Sequence, residues 1–374
     1  MQHTVKWLFV TGVLAIAAGV VIVCGLQDST AFEPPPVTAV NAPAPEPISP
    51  ALLAGPNGQA GTNGVAEAPE ELDEEPVEPG DQEAAALQQQ PVTPMPAITA
   101  SVVWTYHGGI VGSRLPVRTV HEIPSGILVD VGSGRILWSK SSTTPLQIAS
   151  MTKMMTVLLA MEAVDRGEIT LDTRIRVTRD AAEVGGSQVY LKEGEEFSLI
   201  DLLKSVMIAS ANDSAHLVAV RLEGSAQAFV KRMNERARQL GMQHTRFYNP
   251  HGLPYRSGKN VGSALDMAKL ALTLMRYPLV FKWSSTWTDS FRDGTFTLQN
   301  HNPLVKLVPG VDGLKTGYYS TAGYSVTVTA HRGGRRLIAV IIGVRTKAAR
   351  NAFGRDLIEW GFRQVGAGTQ VAGK

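Results

Sequence analysis

The sequence predicts an α+β fold: one antiparallel sheet assembled from both ends of residues 119–366, with a helical subdomain inserted between them. Three observations carry this. Short strand-like runs around a glycine turn open the segment. A stretch of helical periodicity, roughly 168–280, fills its middle. Strand-like runs joined by a Gly-Gly connection return near its end. The active site of such an assembly is expected where the two parts meet, because clefts between subdomains are common ligand sites. No internal repeat is present.

Two segments precede this domain. Residues 1–27 contain Trp7–Leu26, twenty residues without a charge, long enough to cross a bilayer as a helix. Lys6 precedes the run, and Asp28 and Glu33 follow it, so the rest of the chain is expected outside the cytoplasm. An uncleaved anchor is the preferred reading, and a cleaved leader with Ser29-Thr30-Ala31 at its end is the alternative. Residues 28–118 read as a disordered linker. Fourteen of the 22 prolines fall between Pro34 and Pro96, and aromatics are nearly absent before Trp104. Such a segment cannot bury enough apolar surface to offset its ordering entropy, and its acidic run, Glu67–Glu83, is expected to be solvated.

Within the domain, Ile127–Asp130 and Arg135–Trp138 read as strands around Gly132-Ser-Gly134. Ser150–Val164 is rich in Met, Leu and Ala and apolar nearly all round, which predicts a buried central helix. Its methionines, Met151, Met154, Met155 and Met161, are expected to fill core rather than line a groove. Ser198-Leu-Ile-Asp201 reads as a helix start leading into 202–209. Phe229–Leu240 is an amphipathic helix stopped by Gly241, and Asp266–Met275 is another, with Pro278 beyond its end. Strands are predicted at Thr295–Leu298, Gly323–Ala330 and Arg335–Val344, the last two joined through Arg332-Gly-Gly-Arg335. Ala348–Phe362 closes the domain as a helix, and 367–374 is a short tail.

The net charge of +2 over 374 residues hides a division. Residues 28–100 hold 12 acidic residues and no Lys or Arg, whereas residues 101–374 hold 34 Lys+Arg against 21 Asp+Glu, a net of +13. A cationic domain behind an acidic stem suits anionic surroundings, such as a membrane face or an acidic wall polymer. Nucleic acid is not expected, since no basic stretch is interleaved with aromatics and no zinc-type Cys/His spacing occurs. Cys24 is the only cysteine, which excludes an intramolecular disulfide, and it reads as a plain residue of the apolar run.

Three short motifs carry chemistry. Ser150-Met-Thr-Lys153 puts a hydroxyl and an amine on one helix face, so that Lys153 can take the Ser150 proton and activate a nucleophile. A chain of this length holds about one such spacing by chance. Ser210-Ala-Asn212 and Lys315-Thr-Gly317, each also present once, make coincidence untenable. Lys153 can act as a base only if its pKa falls from about 10.4 toward neutrality, which burial and a neighbouring cation achieve; Lys315 is the candidate cation. Asp213 is expected to be a local hydrogen-bonding group. His251 and His301 are read as structural or surface residues, and no metal or cofactor is expected.

Taken in this order, the three motifs resemble those of the low-molecular-mass penicillin-binding proteins, the serine D-Ala-D-Ala carboxypeptidases. The resemblance extends through Pro145…Ala149-Ser150, Met154-Met155-Thr156, Asp201-Leu-Leu203, Ala209…Asp213, Phe229…Met233-Asn234, Leu240-Gly241-Met242, Asn249-Pro-His-Gly-Leu253, Ser263…Ala268, Gly313…Gly317 and Trp360-Gly-Phe362, nearly all of 119–366. It implies a β-lactamase/DD-peptidase-like fold and an enzyme of the bacterial cell envelope, held by its N-terminal segment or secreted. That enzyme removes the terminal D-Ala of peptidoglycan pentapeptides, and β-lactams inhibit it covalently. It implies Ser150 as nucleophile, Lys153 as base, and Ser210 as relay to the leaving amine. Asn212 would hold the substrate amide, and Lys315 and Thr316 the terminal carboxylate. Gly317 would permit close approach to the strand, and the backbone N–H groups of Ser150 and Tyr318 would form the oxyanion hole. The family arginine ahead of the last helix aligns with Arg350, with Arg345 as the weaker candidate.

The sequence departs from the family at Ala211, where glycine is frequent, and at Tyr319, where threonine usually follows the Tyr or His after the third motif. No counterpart of the family's β-rich second domain and C-terminal anchor follows, so the N-terminal segment is expected to take over anchoring. A DD-endopeptidase or transpeptidase would use the same acylation. A β-lactamase is disfavoured by the lack of a convincing Glu-x-x-x-Asn segment between Asn212 and Lys315, and a non-catalytic β-lactam sensor by the intact motifs.

Overall fold

The computed structural model describes residues 122–255 and 258–367; the segments read as anchor and linker, and the tail beyond 367, lie outside them. Among the described residues, no helix is long and apolar enough to cross a membrane.

In chain order the elements are strands β1 (Ser125–Asp130), β2 (Arg135–Lys140) and β3 (Leu146–Gln147), a 3-10 turn (Ala149–Thr152), and helix α1 (Lys153–Asp165). Strand β4 (Arg174–Arg176), α2 (Arg179–Ala182), β5 (Glu196–Ser198), α3 (Leu199–Ile208), α4 (Asn212–Glu223) and α5 (Ala226–Gln239) follow. Next come β6 (Val261–Gly262), α6 (Ala264–Leu274), α7 (Pro278–Ser285), β7 (Thr288–Phe291), β8 (Phe296–Gln299) and α8 (Leu304–Leu307). The chain closes with β9 (Val311–Tyr319), β10 (Gly323–Arg332), β11 (Arg335–Val344) and α9 (Lys347–Ala367).

The five-stranded sheet has the order β2-β1-β11-β10-β9 and is antiparallel throughout, so both ends of the domain build it. The pairing of β1 with β11, Ile127 opposite Val340, is the join that lets the helical insert loop out between them. Leu337–Ile342 is an unbroken apolar run because both faces of β11 are covered. Ile338, Val340 and Ile342 face the helical subdomain. Leu337, Ala339 and Ile341 face the core closed by Phe353, Leu357 and Trp360 of α9. This period of two places α9 on one side and α1 and α6 on the other.

Helix α1 is central: ten of its 13 residues are buried, including Met154, Met155 and Met161. The surrounding helices start where short polar side chains cap them. Ser198 Oγ accepts from the Asp201 N–H at 3.2 Å, Ser225 Oγ from Ala228 at 3.1 Å and Ser263 Oγ from Asp266 at 3.1 Å. Gly224, in the left-handed region at φ 74°, ends α4.

Three local readings need correction. Ser150 lies in the 3-10 turn ahead of α1, not in the α-helix itself. Pro278 does lie beyond the end of α6, but it opens a further helix, α7, that the sequence reading left out, and at that first position its missing N–H costs nothing. Strand β9, the sheet edge that carries Lys315-Thr-Gly317, was not predicted, because two glycines and two charged residues in Val311–Tyr319 erase any apolar alternation.

Candidate active site

The 3-10 turn brings residues 150 and 153 together more directly than an α-helix does, since at three residues per turn positions i and i+3 eclipse. Lys153 Nζ lies 2.9 Å from Ser150 Oγ. It donates to Asn212 Oδ1 at 2.6 Å and to the His251 carbonyl at 2.7 Å, and the side chain is fully buried. A neutral amine has two N–H bonds and one lone pair. With both N–H bonds directed at carbonyl oxygens, the lone pair is left facing the serine. Burial pulls the Lys153 pKa well below its ordinary value. The nearby cation of Lys315 lowers it further, and Asp213 opposes the shift.

Each partner of Lys153 is itself held. Asn212 opens α4; its N–H donates to the Ser187 carbonyl at 2.7 Å and its Nδ2 to the Gly185 carbonyl at 2.7 Å, which turns Oδ1 toward the lysine. Each polar end of the Asn212 amide makes one bond, so it supports Lys153 while keeping a second N–H and a second oxygen lone pair. The His251 carbonyl is aimed by the Asn249–Leu253 loop. Asn249 Oδ1 accepts from the N–H groups of His251 and Gly252, and Asn260 Nδ2 donates to Thr152 Oγ1 at 2.9 Å and to the Asn249 carbonyl at 2.9 Å. Thr156 Oγ1 donates to the Pro250 carbonyl at 2.5 Å. Gly252 has φ 101°, and a Cβ there would collide with the Ala149 carbonyl, so only glycine lets this loop lie against the nucleophile turn.

Ser210 adopts φ 60°, an uncommon left-handed conformation for a non-glycine residue, and its Oγ accepts from Lys315 Nζ at 2.9 Å. Asp213 is buried, its carboxylate accepting from the N–H groups of Val189, Leu191 and Ser214. This is the local hydrogen-bonding role expected of it. Burial raises its pKa despite those bonds.

Lys315 comes from β9, whose Gly317 abuts the nucleophile turn: a Cβ there would stand 2.5 Å from the Ile148 carbonyl oxygen and 3.3 Å from Ala149 Cβ. Thr316 and Tyr318 alternate to the opposite face, where Tyr318, half exposed, stacks on Tyr324 with ring centroids 4.0 Å apart. Arg350 reaches the same face from the first turn of α9, not from ahead of that helix as expected; Arg345 is exposed. The Arg350 side chain is 3% exposed and donates to Asn351 Oδ1 at 3.0 and 2.7 Å. No carboxylate pairs with it or with Lys315 among the described residues. Burial lowers Arg350 to about 10. Burial, with Arg350 beside it, lowers Lys315 to about 7. Two buried cations without a counter-anion make a site for an anionic group.

The chain matches the D-alanyl-D-alanine carboxypeptidase family, peptidase S11, over residues 117–346. It belongs to that family. A carboxypeptidase of the family from Bacillus subtilis, DacF, is 42% identical over 247 residues, 65% of this chain and 63% of that protein. The chain therefore spans less than two thirds of that relative. A D-alanyl-D-alanine endopeptidase of Pseudomonas aeruginosa is 30% identical over 220 residues, 57% of this chain and 69% of that protein. Among solved structures, penicillin-binding protein D2 of Listeria monocytogenes in its ampicillin-bound form superposes with a TM-score of 0.60 at 31% identity, covering 64% of this chain and 97% of that one. The DD-peptidase fold, mixed helix and sheet, is shared with these proteins.

The structure gathers Ser150, Lys153, Ser210, Asn212, Lys315 and Gly317 at one place and sets Thr316, Tyr318 and Arg350 at its edge. His301 is exposed, while His251 is buried with its ring bonded to the Leu253 N–H and near the Tyr255 hydroxyl. Sequence reasoning missed the His251 carbonyl and the Gly185 and Ser187 carbonyls. Backbone carbonyls leave no side-chain signal; the only trace was the Asn249-Pro-His-Gly-Leu253 match.

Proposed function

We propose that this protein is a serine DD-carboxypeptidase that removes the terminal D-Ala from peptidoglycan pentapeptides through an acyl-enzyme, and that β-lactams acylate the same serine. The observation that carries the reading is a pair of buried cations without a carboxylate partner among the described residues: Lys315, which donates to the Ser210 hydroxyl and lowers the Lys153 pKa, and Arg350, which lowers that of Lys315. A substrate ending in a free carboxylate supplies the missing charge and is thereby placed with its scissile carbonyl at Ser150.

The neutral Lys153 amine takes the Ser150 proton as Oγ attacks the carbonyl of the penultimate D-Ala. The oxyanion is met by the backbone N–H groups of Ser150 and Tyr318. Collapse of the intermediate breaks the C–N bond, and the leaving amine receives, through Ser210, the proton that Lys153 took from Ser150, which returns Lys153 to its neutral form. Water, deprotonated by Lys153, then hydrolyses the ester. The free edge of β9 gives the substrate backbone a surface on which to lie extended.

On this reading the chain works in the cell envelope, outside the cytoplasmic membrane, with residues 1–27 as a tether or as a leader removed on secretion. The test pairs a fluorescent penicillin with a D-Ala-D-Ala pentapeptide. Wild-type protein should form an adduct at Ser150 and release D-Ala, and Ser150→Ala should do neither. Labelling without D-Ala release, but with cleavage of cross-linked muropeptides to monomers, would transfer the assignment to an endopeptidase.

A further inference from the structure

We propose that Tyr319 and Gln147 form a brace that positions the two halves of the oxyanion hole, which makes Tyr319 a positioning residue for acylation. The inference rests on the acyl-enzyme reading above. Its two N–H donors come from separate segments: Ser150 from the 3-10 turn, Tyr318 from the end of β9. Nothing covalent joins these segments closely, since 167 residues of chain run between them, so their spacing must be set by contacts.

Two contacts do this. Gly317 lies against the Ile148 carbonyl and Ala149, which limits how close the segments come. The Tyr319 hydroxyl donates to Gln147 Oε1 at 2.8 Å, which limits how far they part. Thr321, from the turn into β10, donates to the same oxygen at 3.2 Å. Gln147 sits three residues before Ser150, in β3, where its backbone is paired with Val261. Between them Ala149 is held at φ 44°. A non-glycine residue keeps such a conformation only where its surroundings over-determine it. The brace fixes the entry to that residue, and Gly317 packs on its side chain. Burial raises the Tyr319 pKa, so the hydroxyl remains a donor. A threonine at this position, which the family resemblance gives as usual, is too short to make the same bond.

The experiment measures acylation by a fluorescent penicillin in full-length protein, separating the noncovalent constant K from the acylation rate k2, with melting temperature in parallel. Complete loss of an oxyanion donor costs roughly 10²–10³ in rate. Releasing the brace shifts a donor without removing it, so Tyr319→Phe should lower k2 about tenfold and leave K within about twofold. Gln147→Met should do the same, and the double variant should be no slower than either single one. Melting temperatures should stay within a few degrees. An unchanged k2 in Tyr319→Phe, a loss confined to K, or additive single effects would each overturn the brace while normal wild-type acylation upholds the acyl-enzyme reading. A wild-type protein that forms no adduct overturns that reading, and the brace with it.

Discussion

Replacing Arg350 by methionine should weaken function and strengthen the fold at once. The guanidinium is 3% exposed, has no carboxylate partner among the described residues, and carries a pKa lowered by burial to about 10. A downward shift of that size corresponds to roughly 3 kcal/mol of strain on the charged form, at 1.36 kcal/mol per unit. Methionine fills much the same volume without the charge. Against this stand the bonds to Asn351 and to the His301 carbonyl, together worth about 1–2 kcal/mol. The difference leaves a net stabilisation of about 1–2 kcal/mol, or a melting temperature higher by roughly 2–8 °C for a domain of this size. A charge-assisted bond to the substrate carboxylate contributes about 1.5–3 kcal/mol, so kcat/KM for D-Ala-terminated peptides should fall roughly 10–150-fold. Differential scanning fluorimetry and a coupled D-Ala assay measure the two effects. A variant that melts lower by 5 °C or more, or keeps kcat/KM within threefold of wild type, refutes the claim that Arg350 is an unpaired cation waiting for a carboxylate.

Gly317→Ala should act through the same strand by steric means. Its Cβ would stand 2.5 Å from the Ile148 oxygen, where C···O contacts normally begin near 3.3 Å, so the segments must part by about 0.8 Å. A misplacement of that order costs about 10²-fold in k2, whereas Gly132→Ala, with ordinary contact only, should acylate like wild type. The pH profile of kcat/KM should have a falling limb from Lys315. Its free-enzyme pKa is lowered to about 7, so as pH rises through that value the ammonium that binds the carboxylate is lost and kcat/KM declines. Lys315→Arg should move that limb upward, and a profile that stays level to pH 9 in the wild type would contradict the assignment.

How much of this could be read before folding depended on what each residue contributes. Strands β1, β2, β10 and β11 were legible because their side chains pack, and packing leaves periodicity. Ser150 and Lys153 were legible because residues three apart share a face in either helix type, so mistaking a 3-10 turn for α-helix left the pair adjacent. Strand β9 was illegible for a functional reason. Lys315 is the cation proposed to meet the substrate carboxylate, Gly317 allows close approach to the nucleophile turn, and neither has the pattern of a strand former. The orientation of Asn212 was equally hidden, because it is decided by the carbonyls of Gly185 and Ser187, in a loop whose glycines look like ordinary linker.

That pattern bears on why the site is stable at all. Burying Lys153, Lys315 and Arg350 within one fold, with no carboxylate paired to any of them among the described residues, opposes folding. Lys153 and Lys315 relieve this strain by shedding protons, which their depressed pKa values permit. Arginine cannot do so near neutral pH, so Arg350 retains the larger share of the electrostatic cost. The sheet absorbs it: the face of β10 and β11 that packs on α9 is apolar along its length, with Val326, Val328, Ala339 and Ile341 at most 1% exposed. A site whose main cation cannot be neutralised by proton loss is one whose charge must be met by the ligand. For that reason the loss of activity and the gain of stability in Arg350→Met are expected together, and observing one without the other would separate a binding residue from a structural one.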